Sequence, residues 1–372
     1  MRSALTAVAI TAVLCGAFVA LQFRRAGGDI SRFVVAGDEL CDPALVPYGV
    51  SVEHSAGYDG QFYLRLALRP FSKAAIEHGI RFDYPVYRAQ RIVYPLIVNV
   101  LSFGSVTATL WLLVLVNVAA VCAISGISAR LLEHHGIAGA YGIAVSLFPS
   151  FLLTMRRDLT EAVELAFVMA GILAIVKQRW IFAAILLALA ALSKEPSLLV
   201  PGAALAMIVI DRNARRLWLL LAPIAYFAWK LFLFRYFALP LTLFNKSVLG
   251  IPFAVAAPRV MSLLPPHSRG DAVVLLEITL LAAFSVLVAI AMRKSRAPLE
   301  VKLAWLGYAL LVSTLGPLFW DDDWSFLRPA TELGALGAFI AMTSTTTKIR
   351  RVAATLISTW WVFLAYDLIV YR

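Results

Sequence analysis

The chain has 372 residues, 61% of them hydrophobic, with a mean hydropathy of +0.84 and a net charge of +11. Soluble domains average about 45–50% apolar residues, so an ordinary soluble globule is excluded, and no soluble domain of ordinary size fits between the apolar stretches. No zinc-ligand spacing or nucleic-acid module accompanies the positive charge, which leaves membrane topology and anionic head groups or phosphates as its uses.

A bilayer span needs roughly 17–25 apolar residues to cross about 30 Å of hydrocarbon. The first such stretch, 3–23, carries no charge. Its apolar run exceeds the usual h-region of a signal peptide, about 7–15 residues, so it reads as an uncleaved first span over 4–23. Further spans are expected at 106–130, 137–155, 160–176, 180–193, 197–211, 217–236, 272–292, 302–319, 332–346 and 352–369, from apolar length and charged interruptions. The fold class is therefore an all-α polytopic transmembrane bundle of about 11 spans, a single domain over 1–372. It has a long first loop at 24–105 and a second, Pro-rich connection at 237–271. Cys15 and Cys122 lie in apolar spans and Cys41 stands alone in a polar loop, which is no disulfide framework.

Orientation follows from the short loops. One set carries thirteen Lys and Arg, among them Arg130, Arg216, Lys294 and Arg350; the opposite set carries four, Arg156, Arg157, Lys194 and Arg328. The positive-inside rule puts the first set in the cytoplasm, and by alternation the loop 24–105 and the connection 237–271 lie outside. Within that loop, "QFYLRLALRPF" mixes aromatic, Leu and basic residues as an interfacial helix does. "YRAQRIVYPLIVNVLSFG" reads as a second interfacial segment leading into the next span.

Charges near spans are costly and often functional, and here carboxylates and cations from distant segments meet at the outer side. They are Asp59 in "GYDGQF" with its neighbours Tyr58 and Gln61, Arg88 and Arg91 in "YRAQR", Asp158 and Glu161 in "RRDLTE", Lys194 and Glu195 in "SKEPS", and Asp321, Asp322, Asp323 and Arg328 in "FWDDDWSFLRP". Asp158 and Glu161 also have the spacing of a capping box, Asp at N-cap and Glu at N3, and Glu195-Pro196 the form of a helix start. Gly57 and Gly60 let the chain turn tightly at Asp59. The five histidines show no metal-ligand spacing, and His54 is the one nearest Asp59 in sequence.

Such a set suits a substrate with a lipid tail, a phosphate and a sugar head. Arginine binds phosphate through bidentate hydrogen bonds, a carboxylate can deprotonate an acceptor hydroxyl as general base, and cations stabilise the departing phosphate. Arg88, Arg91 and Arg328 would hold phosphate with Lys194 assisting, Asp59 would be the base, Asp158 and Glu161 would bind sugar or acceptor or hold a cation, and Tyr58, Gln61 and Glu195 would contact the substrate. Asp321–Asp323 are the place where a divalent metal would find hard oxygen ligands.

A first span, a long outer loop with an acidic residue and interfacial helices, and then many spans resembles the GT-C superfamily of polyprenyl-phosphate-sugar-dependent glycosyltransferases. The motifs "GYDGQFY", "YRAQRIVYP", "RRDLTEAVELA" and "LSKEPSLLVP" are also similar to a group of bacterial glycosyltransferase-like proteins of cell-surface glycopolymer formation, best over about 50–205. The resemblance implies an inverting hexosyltransferase of the inner membrane, working at its outer face. The donor would be a polyprenyl-phosphate sugar and the acceptor a cell-envelope glycan or lipid; Asp59 falls at the first-loop acidic position and Asp158 with Glu161 at the second. Where relatives carry "LTEP" and "TRE", this chain has Ala162 and "SKE", so Lys194 keeps the charge without the guanidinium fork. The residues leave a second reading open, a transporter or flippase of a lipid-linked sugar, or a non-catalytic assembly protein. The in-span charges Glu164, Lys230, Arg235, Glu277 and Asp367 are few for a transport path.

Overall fold

The computed structural model describes residues 2–240, 249–320 and 325–371. The calls on Asp321, Asp322 and Asp323 lie outside the described residues.

The chain is a multi-pass membrane protein built of helices. Five helical stretches are long and apolar enough to cross a bilayer singly: Ser3–Arg25, Val106–His134, Ala214–Tyr236, Arg269–Met292 and Thr347–Val370. In chain order the helices are α1 (Arg2–Arg25), α2 (Asp59–Leu68), α3 (Pro85–Ala89), α4 (Val93–Ser102), α5 (Val106–His134), α6 (Gly142–Ser146), α7 (Ser150–Arg156), α8 (Glu161–Val176), α9 (Trp180–Ser193), α10 (Leu199–Ala206), α11 (Ile208–Asp211), α12 (Leu221–Tyr236), α13 (Ala256–Ser262), α14 (Arg269–Met292), α15 (Leu299–Ser313), α16 (Thr331–Met342) and α17 (Thr347–Val370). Every expected span overlaps helix, but 137–155 and 197–211 are broken into short pieces rather than continuous rods, and 302–319 and 332–346 overrun α15 and α16, which end at Ser313 and Met342. In the first of these Gly142 lies so close to α5 that a Cβ would meet the Ala129 nitrogen at 2.6 Å. The only strands among the described residues are two-residue pairs in the first loop, Ala36–Gly37 parallel to Val52–Glu53 and Ile76–Glu77 antiparallel to Ile80–Arg81.

Large apolar side chains such as Val13, Phe182, Leu310 and Val362 remain more than half exposed, as residues facing lipid do. The centre is α16. All twelve of its residues are buried, and its Gly and Ala positions let neighbours approach closely, the packing device of membrane helices. A Cβ on Gly334 would meet the Phe148 ring at 2.1 Å. This central helix carries Glu332 in its first turn and is preceded by Arg328, so two charged residues are delivered to the end of the core.

The two ends of the bundle are distinct. At one end Arg296 donates to the His135 carbonyl at 2.9 Å, the Thr345 amide donates to the Lys294 carbonyl at 2.8 Å, and Arg216 lies 3.6 Å from Glu300. At the other, Arg25 donates to the Leu368 carbonyl at 3.3 Å and Arg269 pairs with Asp367. The loops that alternation grouped together thus meet at common ends.

Within the first loop α2 differs from its amphipathic pattern. Residues Gly60 to Ala67 are all buried, so its basic residue does not reach head groups. Arg65 turns into the loop and donates to the carbonyls of Ala74, Ala75 and Ile80 at 2.6, 3.1 and 2.6 Å, with its guanidinium 3.9 Å from the Phe82 ring centre. A buried charge is tolerated when hydrogen-bonded in this way, and it fastens the loop over α2.

Candidate functional site

Asp59 is the first residue of α2, where unpaired backbone N–H groups and the helix dipole favour an anion. Both flanking glycines are required there. Gly57 has φ +69°, which favours glycine, and a Cβ on Gly60 would meet the carbonyl oxygens of Arg157 and Val34 at 2.6 Å each. The chain therefore brings Asp59 against the α7–α8 turn.

Three guanidinium groups converge on the Asp59 carboxylate. Arg88 Nη1 donates to Oδ1 at 2.6 Å, Arg328 Nη2 to Oδ2 at 2.9 Å, and Arg91 Nη1 to Oδ2 at 3.5 Å. Each arginine is held by a second carboxylate. Arg88 forks onto Asp83 at 2.7 and 2.6 Å, Arg91 onto Glu195 at 3.2 and 2.9 Å, and Arg328 donates to Glu161 at 3.0 Å. Deeper, Lys194 Nζ donates to Glu332 Oε1 at 2.9 Å and stands 3.5 Å from Glu161. Four cations and five anions thus form one connected network. Glu161 and Glu332 are fully buried, whereas the side chains of Asp59, Arg88 and Arg328 keep 15, 18 and 15% of their exposure. Asp59, Phe62, Tyr63, Tyr87, Arg88 and Arg91 line a crevice at this surface that is too narrow to hold a water molecule.

Burial works to raise the Asp59 pKa, but attraction to Arg328, then Arg88 and Arg91, overrides it and holds the carboxyl well below the usual range. A depressed folded-state pKa means that the ion-pair stability is fully present above the ordinary value of 3.8 and is lost only as pH falls through the lower, folded value. Infrared difference spectra of the native chain against Asp59→Asn are expected to show the Asp59 carboxylate still ionised at pH 3.8. A band protonating with ordinary midpoint contradicts the cage.

The structure brings together Asp59, Arg88, Arg91, Glu161, Lys194, Glu195 and Arg328. Tyr58 borders them: its ring centre lies 5.0 Å from the Arg328 guanidinium and 4.1 Å from that of Arg157, and its hydroxyl is 3.3 Å from Ser325 Oγ. Gln61 and Asp158 are not in the set. Gln61 is buried and committed to the loop, accepting from the Gly37 amide and Cys41 Sγ and donating to the Ala56 carbonyl. Asp158 is fully buried with both carboxylate oxygens lacking a hydrogen-bond partner, and burial pushes its carboxyl well up. The capping box is also absent. Asp158 adopts φ +49°, the helix starts at Glu161 behind Thr160, and no side chain caps it. The left-handed turn separates Asp158 from the position its spacing suggested; a capping box does form at Ser268 and Asp271. His54 pairs with Asp38 at 2.6 Å rather than with Asp59.

Asp83, Glu332 and Tyr87 are the partners that sequence reasoning missed. Glu332 follows Arg328 by one helical turn, a spacing that could have marked it. Tyr87 accepts from Arg91 Nη2 at 3.0 Å. Among the described residues no group of three or more His, Cys, Asp or Glu could hold a metal ion.

The chain is similar to the crystal structure of ArnT from Cupriavidus metallidurans bound to undecaprenyl phosphate. The TM-score is 0.50 and the identity 14%, over 96% of this chain and 70% of that one. The two chains share a fold. At that identity the likeness speaks for the fold alone. No family model matches the chain, and no curated protein matches it. In this helical bundle the ionic network stands where α2, the α3–α4 corner and the ends of α8, α9 and α16 meet.

Proposed function

We propose that the chain is a membrane glycosyltransferase that moves a sugar, of hexose type, from a polyprenyl-phosphate donor to a cell-envelope glycan or lipid, at the outer face of the inner membrane. The observation that carries the reading is the convergence of Arg88, Arg91 and Arg328 on one carboxylate at a surface crevice. Guanidinium groups are the natural ligands of a phosphate, and Asp59 occupies their hydrogen bonds as an anion of the donor would. The GT-C-like fold adds support, because its neighbour holds undecaprenyl phosphate.

The chemistry follows from the same contacts. With three guanidiniums attached, Asp59 is a poor base. A donor phosphate that takes over their hydrogen bonds removes the attraction that lowers its pKa, and Asp59 becomes able to accept the acceptor hydroxyl proton. The acceptor oxygen then bonds to the anomeric carbon from the face opposite the phosphate. The bond from that carbon to the phosphate oxygen breaks, and its electron pair leaves with polyprenyl phosphate, giving inversion. Arg88, Arg91 and Arg328 stabilise the leaving charge, while Lys194 holds Glu161 and thereby Arg328 in place. The concentration of the network at one end of the bundle favours transfer over transport, which would need polar groups along a path through the spans.

Removing one charge-assisted hydrogen bond costs about 1.5–3 kcal/mol, or about 10–100-fold in affinity. Arg88→Gln is expected to weaken undecaprenyl phosphate binding by that factor, read by isothermal titration in nanodiscs. Native affinity in the variant removes the phosphate assignment.

A further inference from the structure

The connection between α12 and α14 carries a second surface, which sugar transfer does not use. Over 249–264 the chain has one charged residue, Arg259, and no carboxylate. The start of this segment is pinned to the end of α15. The Gly250 and Phe253 amides donate to the carbonyls of Thr314 and Ser313 at 2.7 and 2.6 Å. Further on, Leu263 is buried, and Val255 and Ala256 pack against the core. These contacts hold one side of the segment to the bundle. They do so at the end where the chain leaves α15 towards Arg328 and where α14 begins at Arg269.

The other side is apolar and uncovered. Ile251, Phe253, Met261 and Leu264 are 76, 63, 70 and 51% exposed, and no residue of α13 is buried. Such a surface is unfavourable in water. The adjoining part of α15 shows what covers it. Leu310 faces lipid one turn before Thr314, on the same side of the helix, so the apolar surface of the segment continues the lipid-facing surface of α15. Its depth is bounded as well. Residues 251–255 turn without forming helix, and irregular backbone exposed to lipid is not tolerated within the hydrocarbon. The segment therefore lies at the head-group level. Arg259 fits the same level. It is half-buried, its Nε has no hydrogen-bond partner, and no carboxylate among the described residues pairs with it. An arginine in an apolar interfacial segment meets lipid phosphate. We infer that 249–264 is a strap lying in the bilayer surface, with Ile251, Phe253, Met261 and Leu264 at the acyl boundary and Arg259 on the phosphate of a phospholipid.

The test labels Phe253→Cys and Met261→Cys with a fluorophore in the full chain, reconstituted in phosphatidylcholine vesicles. Some of the lipid carries a nitroxide near the top of its acyl chain. The native chain, labelled in parallel, gives the background from its own cysteines. His54→Cys, at a side chain 99% exposed, stands for a label in water. The expected result is loss of most of the fluorescence at positions 253 and 261 and little loss at 54. With the nitroxide on phosphatidylglycerol, quenching at 261 is expected to need about 5-fold less of the lipid. Arg259→Gln is expected to abolish that preference while 261 stays quenched. Equal quenching at 253, 261 and 54 overturns the inference, and so does an unchanged lipid preference in Arg259→Gln. Crosslinking of positions 253 and 261 between two copies of the chain, in place of quenching, also overturns it.

Discussion

Asp59→Asn is expected to lower sugar transfer by about 10²–10⁴-fold while polyprenyl phosphate binds at least as tightly as to the native chain. The two effects run in opposite directions because the proposed mechanism gives Asp59 two roles. As an ionised carboxylate it competes with the donor phosphate for Arg88, Arg91 and Arg328; as a base it takes the acceptor proton. Asparagine ends the competition and cannot take the proton. The lipid-free variant loses stability, since three guanidiniums are left around a neutral amide, and breaking a buried pair costs about 3–5 kcal/mol. Added undecaprenyl phosphate restores the missing anion, so its stabilising effect on thermal unfolding is larger in the variant than in the native chain. Parallel losses of binding and turnover would instead mark Asp59 as a purely structural residue.

The second large effect lies deeper. Lys194→Met is expected to destabilise the chain by about 3–5 kcal/mol, because Glu332 and Glu161 are fully buried and Lys194 is the cation between them. Adding Glu332→Leu is expected to recover most of that loss, since replacing both partners by apolar groups removes the uncompensated charge. Thermal unfolding of the two single variants and the double variant in detergent completes the cycle. Additive losses would show that the pair is not coupled. In the recovered double variant Glu161 keeps Arg328 as its partner, so lipid phosphate binding separates the stability role from the site.

Apolar length was enough to place α1, α5, α14 and α17, because a spanning helix writes its extent directly into the chain. It was not enough at 137–155 and 197–211. There tertiary packing breaks the helix, and Gly142 against Ala129 leaves no periodic signal. Asp59, Arg88, Arg91, Lys194 and Arg328 were legible because charges at span ends need a reason and topology gathers them on one side. Asp83 was not. It lies five residues before Arg88 across the start of α3, where no helical spacing links the two. Glu332 was not singled out either, because an acidic residue in a helix's first turn is ordinary, favoured there by the helix dipole. Asp158 was misplaced for the opposite reason. Its capping spacing was satisfied in sequence, but a left-handed residue moved the helix start and turned the carboxyl into the core. Gln61 stands two residues after Asp59, and that step along α2 aims it at the loop instead.

The central claim is that the arginine-caged Asp59 is the base of a sugar transfer from polyprenyl phosphate. The most direct measurement incubates the purified native chain and Asp59→Asn, reconstituted in vesicles, with a labelled polyprenyl-phosphate hexose and membrane-derived acceptors, and follows both the label and the released lipid phosphate. The predicted result is a glycosidic product of inverted anomeric configuration, one polyprenyl phosphate released per sugar, and almost none of either from the variant. Label crossing the vesicle without a new bond, or equal product from Asp59→Asn, contradicts it.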